Sequence, residues 1–378
     1  MDDQIPVLII GGGPTGLAAS IELSRHGVRS VLAERHPTTT DHPRAHVVGT
    51  RTMELFRQWG IADAVIGEAL PIDQAGGIAW VTSLAGERLG RIDLAGDPER
   101  LAARLDASPI FTVSCAQDRI EPLLAERARS LGEGVGSELA FSTRATVVDD
   151  GPDGATVRLD GPDGTEIVRA RYVVAADGAS SPTRAQLGIE MAGHGTLGHH
   201  INTYLTADLS PWVGERGAVL HWVVDREVSG VFIALDGKER WLFNCSYDPA
   251  VESADTYTPE RCASIVRRAV GDPSVALEVR SIRPWAMDAD VAVRYREGSV
   301  LLAGDAAHTF PPTGGLGMNT GIQDAHNLAW KLAWVLEGRA GADLVDTYEA
   351  ERRPVALANT DYSVVNAIGA SSTGIGPA

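Results

Sequence analysis

Cysteine is scarce in this chain: Cys115, Cys245 and Cys262 are the three among 378 residues. Their odd number and the lack of any CxxC spacing exclude a disulfide framework and argue against a zinc site. A reducing, cytoplasmic setting is the expectation. No basic segment leading into an apolar stretch opens the chain, so no secretory leader is expected. The first apolar run, residues 7–10, meets Gly11 at once, and nothing approaches the ~20 apolar residues of a membrane span. Positive charge is short as well, with 33 Lys and Arg against 50 Asp and Glu, a net charge of −17. Nucleic acid is a poor partner for such a chain, because binding there rests on neutralising phosphates. A polybasic membrane patch is excluded on the same ground. The acid excess reads as a solubilising surface.

Apolar residues make up 44% of the chain, enough for a sizeable core. At roughly 150 residues per domain, the length suggests two or three domains. Residues 1–60 are locally neutral, and all six of their bases are Arg, the forked donor suited to phosphate.

The first 35 residues read as strand, turn, helix and strand. Residues 7–10 form a continuous apolar run, as in a strand buried on both faces. A helix is expected over 14–26, with Gly27 as its stop, and a second strand over 30–33. Helices are expected over 51–59, closed by Gly60, and over 118–131. Antiparallel strands are expected over 141–160 and 167–176 around Gly- and Asp-rich turns. From 182 to 283 the texture changes to short β-branched and aromatic segments, 218–224, 229–235 and 240–245, with Asp236-Gly237 as a hairpin signal. Residues 300–303 return to a buried strand. A Pro- and Gly-rich loop follows, opening near Gly317 into an apolar helix that reaches Leu336. The antiparallel sheet is therefore expected as an insertion into the first architecture.

Three motifs carry chemistry. Gly11-x-Gly13-x-x-Gly16, with Pro14 and Thr15, permits close backbone approach to a diphosphate and aims a helix N-terminus at it. Glu34 closes the second strand, where an acid can accept ribose hydroxyls. Residues 193–198 match the same pattern but read as a loop, so no second dinucleotide fold is expected. The second motif is the strand end at Asp177-Gly178, with Arg184 beyond it. In the third, a strand ends at Gly304-Asp305, and the loop through Pro312 and Gly315 to a helix N-terminus can stabilise negative charge.

In this order and spacing, GGGPTG with Glu34-Arg35, Asp177-Gly178 and Gly304-Asp305 resemble the single-component FAD-dependent aromatic hydroxylases of the p-hydroxybenzoate hydroxylase fold. His42-Pro43-Arg44-Ala45-His46, Arg51-Thr52-Met53-Glu54 and residues 311–333 (PPTGGLGMNTGIQDAHNLAWKLA) are similar to the branch of phenol, chlorophenol and polyketide hydroxylases that includes aklavinone 11-hydroxylase. The resemblance covers nearly the whole chain, but residues 182–283 match only in texture.

It implies an α/β fold, α+β overall. A Rossmann-like FAD-binding domain would comprise residues 1–181 and 284–378, with 70–112 partly on the substrate side, and an antiparallel-sheet substrate domain, 182–283, would be inserted in it. Relatives often carry a further thioredoxin-like C-terminal domain, absent from this sequence, which ends in a small-residue tail at 371–376; either the protein is naturally short or the chain is cut before that domain. The resemblance assigns the pyrophosphate to Gly11, Gly13 and Gly16 and the adenosine ribose to Glu34. It sets Arg35 and Arg44 along the adenine and diphosphate. It gives the ribityl chain to Gln117, ahead of its helix, and to Asp305, and the isoalloxazine to Pro312 and the backbone of Gly315, Leu316, Gly317, Met318 and Asn319. Asp177 and Gly178 would serve both FAD and a transiently docked NAD(P)H, with NADPH favoured.

The implied chemistry is hydride transfer to noncovalent FAD, O2 addition to give a C4a-hydroperoxide, and hydroxylation of a phenolic or polyketide-derived aromatic, as in antibiotic biosynthesis. Baeyer–Villiger insertion or epoxidation, an oxygen-independent dehydrogenase or reductase, and a non-catalytic redox sensor are the alternatives. Halogenation fits less well, because the Trp-x-Trp-x-Ile-Pro segment is missing and Lys238 and Lys331 are the chain's two lysines. A monomer or homodimer is expected.

Which residue handles the phenol proton is open. His46 is a catalytic candidate, with simple solvation as the plain alternative. Trp285 either walls the pocket or packs. His221, Trp222, Phe232, Trp241 and Asn244 lie on expected strands, and about half of such side chains face a pocket. His308 reads as a local hydrogen-bonding residue. His199-His200 lacks the companions of a metal site, and no metal is expected. Trp330 and Trp334, four apart on a helix, read as core.

Overall fold

The computed structural model describes residues 4–94, 98–214 and 217–370. The tail at 371–376 lies outside them. β1 (Ile5–Ile10) is buried along nearly its whole length and turns at Gly11, whose φ is +107°. A side chain there would collide with the carbonyl of Ala176. α1 (Pro14–Arg25) starts on a proline, whose fixed φ suits the first helical position. β2 (Ser30–Ala33) is fully buried. β3 (Val47–Val48) leads into α2 (Thr50–Trp59), which ends at a left-handed Gly60, and then α3 (Ala62–Glu68). β4 (Gly77–Val81), β5 (Arg88–Asp93), α4 (Pro98–Ala107) and β6 (Val113–Ser114) fill the stretch where the sequence pattern is mixed. α5 (Gln117–Gly132) begins with Gln117 itself rather than after it. β7 (Glu138–Ala140), β8 (Arg144–Gly151), β9 (Gly154–Gly161) and β10 (Gly164–Ala175) follow.

α6 (Pro182–Gln186) is capped by Ser181, whose Oγ accepts from the N–H of Arg184. β11 (Met191–Thr206) then overturns one expectation. Residues 193–198 are part of this strand, not a loop. Its register with the neighbouring strand shifts twice there, and Gly195 has a φ of +70°. Glycines let the strand bulge, which erases the alternation that would have marked it. After α7 (Ser210–Val213) come β12 (Leu220–Val223), β13 (Gly230–Ala234) and β14 (Arg240–Tyr247). α8 (Pro259–Val270) interrupts the strands, with Thr258 as N-cap, Pro259 first and a left-handed Gly271 after it. β15 (Glu278–Ala292), β16 (Arg296–Glu297), β17 (Val300–Leu302) and β18 (His308–Thr309) precede the long helices α9 (Gly317–Leu336) and α10 (Asp343–Ala370).

Two sheets organise the molecule. The first runs β16-β17-β10-β1-β2-β7, with β9 also pairing with β10 and β8 with β9. β10 changes partner along its length. It is antiparallel to β9 as far as Ala170, and parallel to β1 and β17 from there to Ala175. The second sheet runs β18-β15-β11-β14-β13-β12-β4-β5. Its pairs are antiparallel except β12 with β4. The second sheet thus draws on residues 77–93, continues through Ala292 and adds β18 at its edge.

One face of the second sheet packs on α8, where Phe232, Trp241 and Phe243 meet Cys262, Val266 and Ala269. The other face meets the first architecture through Leu242 and Ala116. A short ion pair, Arg240 Nη2 to Asp118 Oδ2 at 2.5 Å, joins the same two parts. Trp330 and Trp334 are not core. They pair edge to face with centroids 5.4 Å apart, and Trp334 is 42% exposed, because the stripe of α9 that faces inward is Ile322, Ala325, Leu328 and Leu332.

Candidate active site

The three motifs meet because β17, β10 and β1 are neighbours in one parallel arrangement. Their carboxyl ends carry Gly304-Asp305, Asp177-Gly178 and the turn from Gly11 to Gly16, on the side of a parallel sheet where ligands bind. A side chain on Gly16 would strike the carbonyl of Gly11, whereas Gly13 has open space on its Cβ side. Gly13 is also the N-cap of α1 and offers no side chain to the first N–H groups, which a helix start leaves without internal partners. Thr15 fills the space that a side chain on Gly304 or Gly321 would need, so the first and third motifs interlock. Glu34 Oε2 accepts from the N–H of Gly12 at 2.6 Å and Oε1 from that of His36 at 2.7 Å. A carboxylate has further lone pairs for ribose hydroxyls.

Asp177 is engaged locally. Its carboxylate accepts from Ser181 Oγ at 2.5 Å and from the N–H of Thr183 at 3.0 Å. Gly178, with a φ of +88°, has open space instead. Arg184 joins the second and third motifs by donating to the carbonyls of Ala179 and Ala306, both at 2.8 Å. Asp305 is exposed to water, with protein groups close around it. Those surroundings push its carboxyl up, and His308 and Arg44 pull it down. Arg35 points outward and donates to His36. Gln117 donates to Glu121 Oε1 at 2.6 Å, and its backbone N–H donates to the carbonyl of Ala45 at 2.8 Å. Glu121, missed in the sequence, is buried, which pushes its carboxyl up, and Oε2 accepts from the N–H of Thr40.

The loop before α9 is held by Asn319. Its Nδ2 donates to the carbonyls of Val47 and Gly315, and its Oδ1 accepts from Gly49. Gly315 sits against Val47 at a φ of +64°. Leu316, the N-cap of α9, makes no side-chain cap. Gly317 is open on its Cβ side, Pro312 is exposed and Met318 is half-buried. Beneath this loop lies a buried charge network that sequence reasoning missed. Asp324 Oδ2 contacts His308 Nε2 at 2.6 Å and accepts from the N–H of Gly304, and Oδ1 accepts from Arg352 Nε at 2.7 Å. Burial pushes the Asp324 carboxyl up, but His308 and Arg352 outweigh it and hold it below the usual range. His308 is thus a local hydrogen-bonding residue, as its sequence context suggests.

His46 is half-buried, and its Nδ1 lies 3.0 Å from Ser114 Oγ. Desolvation pushes its imidazole down to about 4, so it is neutral at ordinary pH. The sheet candidates divide by strand parity. His221, Phe232 and Trp241 are buried on the face that packs against α8, which corrects their expected place in a pocket. Trp222 and Asn244 lie on the opposite face, toward the cofactor loops, and are half-buried. Trp285 joins them. Its Nε1 donates to Asn244 Oδ1 at 3.1 Å, and its ring stacks on His200 at 4.7 Å.

The open glycine cradle, the two uncapped helix starts and the exposed Asp305 carboxylate suit a dinucleotide with a long polyhydroxyl chain between its diphosphate and a second ring system. That is the donor pattern FAD requires. A family model described as FAD binding domain matches residues 4–363. The chain is 42% identical, over 387 residues, to tetracenomycin A2 monooxygenase-dioxygenase of Streptomyces glaucescens, covering 96% of this chain and 67% of that protein. Among solved structures, a flavin-dependent monooxygenase in complex with FAD and substrate is similar with a TM-score of 0.91 at 35% identity, over 96% of this chain and 64% of that one. A ternary complex of aklavinone-11 hydroxylase with FAD and aklavinone gives 0.86 at 38% identity, over 94% and 67%. The chain spans about two thirds of the length of these relatives.

Proposed function

The chain belongs to the FAD binding domain family, and from that premise we propose that it is an NAD(P)H-dependent flavoprotein monooxygenase that hydroxylates a phenolic or polyketide-derived aromatic compound. The observation that carries this reading is the convergence of three cofactor-type loops beside a sheet face bearing half-buried aromatic and amide side chains.

When bound, FAD supplies two-electron chemistry with NAD(P)H and the activation of O2 for transfer of one oxygen atom. The protein's own part is binding, orientation and control of water and protons. Gly11, Gly13 and Gly16, with Pro14 and Thr15 opening α1, would hold the pyrophosphate. Glu34 would take the adenosine ribose, with Arg35 and Arg44 on that side. Gln117 and Asp305 would take the ribityl chain, with Asp177 and Gly178 bordering it. Pro312 and the backbone of Gly315, Leu316, Gly317, Met318 and Asn319 would face the isoalloxazine, where the N-terminus of α9 favours negative charge. His46, neutral and oriented by Ser114 at Nδ1, would meet the substrate hydroxyl at Nε2. It would polarise the phenol by a hydrogen bond without adding charge. The nicotinamide nucleotide would dock in passing, since the second GxGxxG, residues 193–198, is a bulged strand. NADPH is the first reductant to test against NADH, in a cytoplasmic protein that is monomeric or a homodimer.

The test is a screen of phenols and aromatic polyketides for compounds that raise NAD(P)H oxidation by the yellow protein. Product is counted alongside cofactor, because uncoupled oxidation yields peroxide. Formation of a hydroxylated product that requires O2 supports the reading. Undiminished turnover without O2 would make the protein a dehydrogenase, and oxygen inserted between two carbons would make it a Baeyer–Villiger enzyme. Failure of NAD(P)H to bleach the flavin with every ligand would leave a redox sensor.

A further inference from the structure

The carboxylate of Asp305 stands on a single helical turn, residues 304–306, between β17 and β18. What aims it lies outside that turn. Gly304 enters with a φ of +62°, and its N–H donates to Asp324 Oδ2 at 3.2 Å. The turn closes with the N–H of Ala307 on the carbonyl of Gly304 at 2.7 Å. His308 then returns to the same Asp324 oxygen, Nε2 to Oδ2 at 2.6 Å. One carboxylate on α9 thus ties the chain on both sides of Asp305. The His308 ring also stacks on Phe310, with centroids 4.7 Å apart and planes 5° from parallel. Phe310 leads directly into Pro311-Pro312, so the same anchor reaches the loop proposed to face the isoalloxazine.

Asp324 cannot touch a ligand itself, because neither it nor His308 has any exposed surface. Its other oxygen, Oδ1, accepts from Arg352 Nε on α10 at 2.7 Å. Arg352 Nη2 donates to the carbonyl of Thr320 at 3.4 Å, and Asn359, further along α10, donates to the Thr320 hydroxyl at 3.0 Å. That hydroxyl in turn donates to the carbonyl of Leu316, at the start of α9. Tyr348 adds a bond from its OH to the carbonyl of Leu302, at the end of β17. The last helix therefore grips the third motif from behind, through groups that face away from the cleft.

A buried ion pair is a poor device for stability alone. Desolvating both charges offsets most of their attraction, and apolar residues of similar volume often serve as well or better. What the pair adds is direction. Charge-assisted bonds hold several donors around one carboxylate in a single geometry. A binding group needs such support, because it must stay within about 0.5 Å of its working position.

We propose that Asp324 and Arg352 are positioning residues of the flavin site, which aim Asp305 and seat the loop at 311–316 without touching the cofactor. FAD affinity is then set in part by how α10 docks on α9. The proposal rests on the reading of Gly304-Asp305 as the ribityl motif. By reciprocity, bound FAD tightens the contact between the two helices.

The experiment is equilibrium dialysis of the FAD-loaded protein and its variants. Asp324→Asn and Arg352→Ala each raise the FAD dissociation constant at least tenfold, while far-UV circular dichroism stays that of the unmodified protein. Guanidinium chloride at millimolar concentration, refilling the space left by the Arg352 side chain, restores Arg352→Ala to within about threefold of the unmodified protein. Urea, similar in shape but neutral, and sodium chloride at equal ionic strength restore nothing. Guanidinium leaves Asp324→Asn unchanged. A role in stability alone would not give that pattern. Unmodified affinity in Asp324→Asn overturns the proposal, and so does a loss in Arg352→Ala that guanidinium fails to reverse or that urea reverses equally. If Asp324→Asn does not fold, the Arg352→Ala series decides by itself. Asp305→Ala separates the two readings. Affinity lost there but kept in Asp324→Asn sinks the positioning role alone, and affinity kept in Asp305→Ala sinks the ribityl assignment beneath it.

Discussion

Asn319 Nδ2 donates to the carbonyl of Val47 at 2.9 Å, and through this bond a helix near the end of the chain positions a two-residue strand near its start. The same amide receives the N–H of Gly49 and donates to Gly315. Asn319→Ala would leave three half-buried backbone groups without this partner, each costing up to about 1–3 kcal/mol. We expect a loss of about 2 kcal/mol or more in urea unfolding and a rise of at least tenfold in the FAD dissociation constant. Unchanged flavin affinity would separate this staple from the cofactor site.

Thr15 and Gly321 make a second contact between distant parts of the chain. Gly321→Ala would drive a methyl group into the Thr15 side chain, and overpacking of this kind costs about 1–3 kcal/mol. In a Thr15→Ala background the same change should cost less but stay destabilising, because the Gly304 backbone still lies 3.0 Å from the added methyl group. A double-mutant cycle on thermal unfolding measures the difference. A cycle that closes to zero coupling contradicts the contact.

Asp305 carries the ribityl assignment. Asp305→Ala should weaken FAD binding at least tenfold while far-UV circular dichroism stays unchanged. Asp305→Asn, which keeps one acceptor, should fall between. Equilibrium dialysis against FAD reads both variants, and wild-type affinity in the alanine variant would move the ribityl site elsewhere.

His46→Asn should lower the rate of product formation at least tenfold with little change in FAD affinity. The pH profile supplies a further check. Burial holds the imidazole near 4, so no limb near pH 6.5 should be traceable to this residue. A limb at 6.5 that vanishes in His46→Asn would contradict a neutral histidine.

Burial also pushes His221 down to about 4 and, with Arg283 and Arg44 nearby, His42 down to about 4. Unfolded, each would take up a proton near pH 6.5. Their contribution to stability is therefore complete above pH 6.5 and shrinks as pH falls toward 4. At pH 5 each accounts for a loss of about 2 kcal/mol. His221→Leu should flatten the fall in unfolding free energy between pH 7 and pH 5. Parallel slopes in the two proteins would remove His221 from the account.

The cofactor loops were legible in the sequence because glycine alone fits them. Gly11 and Gly16 are fixed by backbone collisions, and such positions mark a sequence visibly. Strand parity was not legible. Phe232 and Trp241 differ from Trp222 in no intrinsic way, and only the pairing partners decide which face each takes. β11 went unrecognised because its bulges remove the period-two pattern. α8 did carry readable signals, Thr258-Pro259 and Gly271, within a stretch otherwise read as strands. Asp324 and Arg352 resemble ordinary surface charges on their helices, and their burial follows from how α9 and α10 meet.

The parallel pairing of β12 with β4 constrains anyone who would exchange substrate preference between relatives. The second sheet is threaded from 77–93, 191–292 and the short β18, and the first two stretches meet at that one ladder. A chimera carrying only the later stretch would set a foreign β12 against a native β4 and split the cross-strand pair of Trp222 and Trp80 between two parents. Transplanting both stretches together keeps the seam within one parent and leaves the glycine loops of the host untouched.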